Sequence, residues 1–298
     1  MEKVILYYKF VPVSDPETVM FWQKNLCERL GLKGRIIISK HGINGTVGGA
    51  MENVKAYVKE MNTHPLFKKT KYKWSDGKAD DFPKLSVKVR PELVAFRAGD
   101  ELEVDEKGVV GGGKHLSPEA LHKLIEERGD EVIFFDGRNA YEAQVGRFKN
   151  TLIPSTRTSH DFIKEIEDPK YDSIKNNPIV TYCTGGIRCE ILSALMINRG
   201  FKEVYQIDGG IVKYGEKYKD DGYWEGALYI FDSRMTHRFS DKSVDIGECS
   251  HCGLKTSRFV NCDNVSCNRL VLMCEDCKDQ AYCSKDCQKT AVKTKQPA

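Results

Sequence analysis

The chain lacks any long apolar run. No window reaches the roughly 20 apolar residues that a membrane-spanning helix needs. Met1 to Phe10 has no basic flank ahead of an extended apolar stretch, so neither a membrane span nor a secretory leader is expected. Histidine is scarce, with seven in 298 residues, and no two of them fall with a carboxylate in a pattern suited to mononuclear iron. No glycine-rich dinucleotide fingerprint follows a strand. Flavin and nicotinamide chemistry are therefore not expected, and a cytoplasmic protein is.

Cysteine, by contrast, is plentiful and unevenly placed. Eight of the eleven lie between Cys249 and Cys287, which in a reducing compartment reads as metal ligation rather than disulfides. Cys27, Cys183 and Cys189 stand apart. Charge is uneven as well: residues 1–90 carry +8, residues 91–229 carry −7 and residues 230–298 carry +2, within a net charge of +3. A basic segment beside an acidic one suggests an anionic macromolecular partner on one side, although a solvated lysine-rich surface gives the same numbers.

Residues 1–90 read as strand Val4 to Phe10, helix Pro16 to Leu30, strands Arg35 to Ser39 and Gly45 to Gly48, helix Glu52 to Met61 and strand Lys71 to Trp74. A turn over His41 to Gly45 joins the middle strands. That order is the split βαβ pattern of a ferredoxin-like sandwich. Leu85 to Arg90 adds a further strand, and residues 91–114, with scattered charge and Gly111-Gly112-Gly113, read as a linker. From 115 to 220 the signals alternate. Ser117-Pro118 caps a helix to Arg128, followed by strand Val132 to Asp136, strand Ile179 to Tyr182, helix Cys189 to Arg199 and strand Glu203 to Gln206. Near-continuous apolar strands between helices predict a parallel α/β sheet. Residues 221–287 form a cysteine-rich segment and 288–298 a disordered tail.

Cys183 follows strand Ile179 to Tyr182, at the carboxyl end of a parallel strand where ligands sit and the next helix presents unpaired N–H groups. Gly185 and Gly186 let the backbone of Thr184 to Ile187 curl around the sulfur, and Arg188 adds positive charge. A depressed pKa and a reactive thiolate are expected. A cysteine that merely packs would need neither the glycine pair nor the arginine. The four residues between Cys183 and Arg188 make a loop one residue shorter than that with which protein phosphatases wrap a tetrahedral phosphate. The smaller loop favours a persulfide or another compact group.

The stretch Cys183 to Arg188 resembles the active-site loop of rhodaneses. Asp136-Gly137-Arg138 and Gly146-Arg147-Phe148-Lys149-Asn150 resemble their upstream motifs, with Gly137 standing where a branched apolar residue is expected. A narrower resemblance runs along the whole chain. "HGINGTVGG", "DGRNAYEAQVGRFKN", "YCTGGIRCE", "QIDGGIVKY", "WEGALYIFDSR" and the terminal cysteines occur in this order in the rhodanese-domain tRNA uridine hydroxylases. That resemblance implies oxygen-dependent formation of 5-hydroxyuridine at the tRNA wobble position, with Cys183 catalytic and an electron donor not identifiable from sequence.

On that implication, the Cys183 thiolate would add to C6 of a flipped uracil and make C5 reactive toward oxygen, with Arg188 and loop amides holding the developing charge. Asp136 and Arg138 would support the loop. Cys189 is either a resolving thiol or a packed helix residue. Lys68, Lys69, Lys71 and Lys73 surround Tyr72 and Trp74, an interleaving suited to phosphate contact and base stacking, but also an ordinary strand with its aromatics in the core.

The terminal pairs Cys249/Cys252, Cys262/Cys267, Cys274/Cys277 and Cys283/Cys287 supply eight thiolates, most simply for two structural zinc ions. Spacing does not say whether the pairs alternate between sites, and His251 is expected to be a bystander. Two other functions remain open on sequence alone: a sulfurtransferase carrying a Cys183 persulfide, and a non-enzymatic zinc-dependent adaptor.

Overall fold

The computed structural model describes residues 1–291, so most of the tail expected to be disordered lies outside the described residues. Gln288 and Lys289, at its start, belong to a short helix, Lys285–Lys289. Among the described residues no helix is long and apolar enough to cross a membrane. The chain divides into two compact units, one of residues 1–140 and 150–217, the other of residues 141–149 and the chain from Tyr218 onward.

The first unit begins with β1 (Glu2–Phe10), α1 (Pro16–Arg29), β2 (Lys33–Ser39), β3 (Gly42–Ala50), α2 (Met51–Thr63), β4 (Lys71–Asp76) and β5 (Leu85–Val89). The sheet order β4-β1-β3-β2-β5 is that of a ferredoxin-like, or acylphosphatase-like, sandwich with one added strand. Asp15 caps α1 by accepting the Thr18 amide at 3.0 Å, with Pro16 in the first turn. The expected turn over His41 to Gly45 is shorter: Ser39 already pairs with Gly42, and Gly42 to Gly45 lie within β3. Gly45 is small there because Tyr7 crosses it, and a Cβ would lie 2.3 Å from the Tyr7 hydroxyl.

Strand β1 is apolar on both faces because both are covered. Ile5 and Tyr7 join the core under α1 and α2 with Val47, Val54 and Tyr57, whereas Phe10 belongs to a second core with Phe135 and Ile191, against which Tyr8 also packs. Cys27 is buried in the first core, where burial pushes its thiol up to about 12. That makes it an inert packing residue.

Residues 91–114 are not a linker. Leu93, Phe96, Ala98 and Leu102 are buried in the second core, and the Phe96 ring lies 5.6 Å from that of Phe162. Strands β6 (Val104–Asp105) and β7 (Gly108–Val109) form a small hairpin, and Gly113 of the glycine triplet donates its amide to Ser193 at 2.8 Å.

The unit continues with β8 (Lys114–Leu116), α3 (Pro118–Arg128) and β9 (Ile133–Asp136). The next strand, β10 (Gly146–Phe148), belongs to the second unit. Back in the first unit come α4 (Phe162–Ile166), β11 (Pro178–Tyr182), α5 (Ile187–Asn198), β12 (Glu203–Ile207) and α6 (Gly210–Tyr218). The parallel order is β8-β12-β11-β9, and β11, central in it, is buried along its whole length, as a strand covered on both faces must be.

In the second unit β10 pairs antiparallel with β13 (Trp224–Gly226), Arg147 opposite Glu225. This pairing removes residues 141–149 from the α/β unit in which the sequence places them. Two further strand pairs, Leu228–Tyr229 with Thr236–His237 and Phe259–Asn261 with Leu270–Leu272, surround a small core of Val145, Tyr229, Phe259 and Leu272.

Candidate functional site

The Cys183 loop is built from the end of β11 and the start of α5. Gly186 caps the helix at φ +99°, a conformation open to glycine, and its amide donates to the Cys183 sulfur at 3.1 Å. Helix α6 latches the loop from the other side: the amides of Ile211 and Val212 donate to the carbonyls of Cys183 and Thr184 at 3.0 and 3.1 Å. Gly210 has φ +67°, and a Cβ there would lie 2.4 Å from the Cys183 carbonyl oxygen.

Cys183 is 1% exposed. Burial pushes the thiol up, but the Cys189 thiol, the Arg188 guanidinium and the Cys189 and Arg188 amides together bring it down to about 6. Cys189 moves the other way, because it is buried and faces the Cys183 sulfur. The shifts run in opposite directions, so that Cys183 favours the anion and Cys189 the thiol. Helix α5 begins at Ile187 rather than Cys189, which puts both Arg188 and Cys189 in the first turn. The Arg188 guanidinium also donates to the Thr184 hydroxyl at 3.3 Å.

Asp136 and Arg138 are fully buried and bridge through two contacts, Nε to Oδ1 at 2.9 Å and Nη2 to Oδ2 at 2.6 Å. The Tyr182 hydroxyl donates to the same carboxylate at 2.9 Å. The pair thereby ties the end of β9 to the residue before Cys183. Gly137 does not loosen the strand end. Its amide donates to the Tyr182 carbonyl at 2.8 Å, and a Cβ would come within 3.1 Å of Leu192 and 3.4 Å of the Cys189 sulfur.

The face of the N-terminal sheet opposite its helices packs on this loop. A Cβ on Gly185 would lie 2.7 Å from Leu6, and one on Gly186 would lie 2.9 Å from the Tyr8 hydroxyl. Tyr8 donates to Glu190 at 3.0 Å, and Lys73 Nζ donates to the Gly185 carbonyl at 2.7 Å. A cleft of about 930 Å³ opens beside these contacts, with Lys69, Lys71, Lys73 and Trp74 along one wall and His115, Glu190 and Asp208 along the other.

The four lysines named from sequence therefore separate. Lys68 and Lys69 are exposed. Lys71 is exposed and pairs with Asp208 at 3.3 Å. Lys73 turns onto the Cys183 loop. Tyr72 packs on the helix-side core, 5.3 Å from the Tyr7 ring, while Trp74 remains 36% exposed.

Sequence reasoning missed Tyr8, His115, Glu190 and Gln206. His115 lies 3.3 Å from Glu190, whose hydrogen bond pushes its imidazole pKa up. Gln206 donates to Glu190 at 3.3 Å and to the Gly113 carbonyl at 3.0 Å. Glu190 and Gln206 stand inside two of the quoted stretches, but nothing in their spacing announces that they meet.

The terminal cysteines gather into two groups, Cys249/Cys252/Cys274/Cys277 and Cys262/Cys267/Cys283/Cys287, the four sulfurs of each within 4.8 Å of one another. The pairs therefore interleave. Sulfur separations of 3.6 Å for Cys252–Cys274, Cys262–Cys287 and Cys267–Cys283 approach the roughly 3.8 Å edge of a tetrahedron with metal–sulfur bonds of about 2.3 Å. Each group fits one ion held by four thiolates, and His251 belongs to neither.

Residues 2–93 match the family described as UPF0176 acylphosphatase like domain, 117–217 the Rhodanese-like domain and 225–288 the Rhodanase C-terminal family. The chain is 61% identical over 294 residues to the tRNA uridine(34) hydroxylase of Corynebacterium jeikeium (strain K411), covering 97% of this chain and 95% of that one. It is 62% identical over 281 residues to the protein of the same name from Corynebacterium diphtheriae, with coverage of 92% and 90%. A third such relative, from Corynebacterium aurimucosum, is 59% identical over 300 residues, with coverage of 97% of each chain.

Proposed function

We infer the activity from a plain fact of kinship: the chain belongs to the tRNA uridine(34) hydroxylase family. The reaction in that name, hydroxylation of uridine 34 of tRNA, is the function its site supports best. The observation that carries this reading is the Cys183 thiol, its pKa brought down to about 6, on a loop whose Gly185 carbonyl is met by Lys73 from the wall of a lysine-lined cleft. A wobble base is unpaired and is read by splaying it out, which requires phosphate-binding lysines and a pocket rather than a groove-reading helix. In this reading Lys69 and Lys71 meet the phosphate backbone and Trp74 stacks on a base.

In this reaction the Cys183 sulfur bonds to C6 of the uracil and the displaced electron pair moves through C5 onto O4. Molecular oxygen then adds at C5. The peroxide takes a proton from solvent, and an external two-electron donor, with two further solvent protons, reduces the hydroperoxide to hydroxyl and water. Loss of the C5 proton expels the thiolate, leaving 5-hydroxyuridine and the starting enzyme. Arg188 and the loop amides hold the sulfur as an anion before addition and after release.

The two four-cysteine groups suit zinc, whose sites with four thiolates leave no open position and act structurally. Their binding energy supplies folding energy to a segment with little apolar core of its own.

The test is nucleoside mass spectrometry of unmodified tRNA incubated with the protein and a reductant, in air and under nitrogen, beside a Cys183→Ser variant. Oxygen-dependent 5-hydroxyuridine that disappears in the variant is the expected result. Sulfur transfer from thiosulfate without any hydroxylated nucleoside would replace this reading with a persulfide carrier.

A further inference from the structure

Lys73 is set apart from its exposed neighbours Lys68, Lys69 and Lys71. It projects from β4 on the same face as Leu6 and Tyr8, with its ammonium 2.7 Å from the Gly185 carbonyl and 5.0 Å from the centre of the Tyr8 ring. Among the described residues no carboxylate lies within ion-pair distance of it, so a largely buried cation is held by a carbonyl and an aromatic face. Such an arrangement is costly unless a negative charge develops nearby. The charged and titratable groups that face it are Cys183, Asp208, Lys71 and Glu190, with Glu216 close on α6. Burial brings the amine down to about 8, a shift that Cys183, Asp208 and Glu190 oppose.

We propose that Lys73 is the active-site cation delivered by the N-terminal domain, steadying negative charge at Cys183 and taking up the charge that reaches the base oxygen O4 when the sulfur adds to C6. The second half rests on the uridine reading given above; the first does not. No proton need move. The sulfur–carbon bond forms, the electron pair comes to rest on O4, and the ammonium of Lys73 exchanges the Gly185 carbonyl for that oxygen. The loop supplies the nucleophile and the neighbouring domain supplies the counter-charge, so neither domain holds a complete site.

The experiment compares full-length Lys73→Met and Lys73→Arg with the parent. The pH midpoint of Cys183 is read from ultraviolet thiolate absorbance, as a difference from Cys183→Ser, and tRNA affinity and hydroxylation are measured over a range of salt. Lys73→Met should raise the midpoint by about one pH unit and lower kcat by roughly a hundredfold. KM and the salt slope of tRNA binding should stay unchanged. Lys73→Arg should restore the midpoint, which a merely structural role would not require. An unmoved midpoint with weakened tRNA binding and a salt slope reduced by about one would overturn the proposal and make Lys73 a phosphate ligand. Because the thiolate titration uses no RNA, it stands or falls independently of the hydroxylase reading. A shifted midpoint in a protein that does not hydroxylate would sustain the charge at Cys183 and overturn the O4 half.

Discussion

Replacing Cys189 with alanine removes the thiol that donates to the Cys183 sulfur while leaving Arg188 and the loop amides in place. A hydrogen bond to a charged group contributes about 1.5–3 kcal/mol, and a thiol, as a weak donor, belongs at the lower end. One pKa unit corresponds to about 1.4 kcal/mol, so the midpoint of Cys183 should rise from about 6 to about 7. The sign follows from the donor's preference for the anion, since its loss favours the protonated form. At neutral pH the thiolate fraction should fall from about nine-tenths to about one half, and on the alkaline side the variant and parent should converge. Thiolate absorbance against pH, with Cys183→Ser as the blank, reads this directly. Cys189→Ser, which retains a donor of similar size, should recover most of the shift. A Cys189→Ala midpoint equal to the parent's would refute the pairing of the two cysteines and return Cys189 to the role of a packed residue.

Gly210→Ala places a Cβ 2.4 Å from the Cys183 carbonyl at a φ that costs an L-residue about 1–2 kcal/mol. With the clash added, the melting temperature should fall by about 5–15 °C and the Cys183 midpoint should rise as the loop amides shift. Wild-type values of both would remove the latch from the account. Metal release by a thiol-modifying reagent, followed with a chromogenic chelator, should yield about two zinc equivalents per chain. Cys249→Ser combined with Cys274→Ser should lose one of them and Cys249→Ser combined with Cys262→Ser both. Sites made from sequence-adjacent pairs would give the reverse.

The elements of the N-terminal domain were legible because their periodicity is local: a two-residue alternation or a capped amphipathic run is visible in any window. The Cys183 loop was legible for a similar reason, since the sulfur, the glycines and the arginine are contiguous. What escaped depends on which surface meets which. Val4-Ile5-Leu6-Tyr7-Tyr8 is apolar on both faces, a sign that both are covered, but the sequence does not say that the second cover is the Cys183 loop. Lys73 consequently looked like its exposed neighbours. The glycine triplet made residues 91–114 resemble a linker, although Leu93, Phe96 and Leu102 already carried the spacing of a packed strap. Glycine at 209 and 210 hid α6, whose first turn holds the loop. The interleaving of the cysteine pairs is a property of the folded segment alone, since either pairing satisfies the same spacings.

That interleaving has a bearing on how the protein is made. The first group takes ligands from Cys249 and Cys277 and the second from Cys262 and Cys287, so neither can close while the ribosome is still short of the second half of the segment. Until then the emerging chain carries up to five thiols with no complete cage, in the state most open to oxidation. An ion held by either group would therefore have to wait until Cys277 or Cys287 has been made. Zinc at these sites would make the metal supply at that moment decide whether the cysteine-rich segment folds.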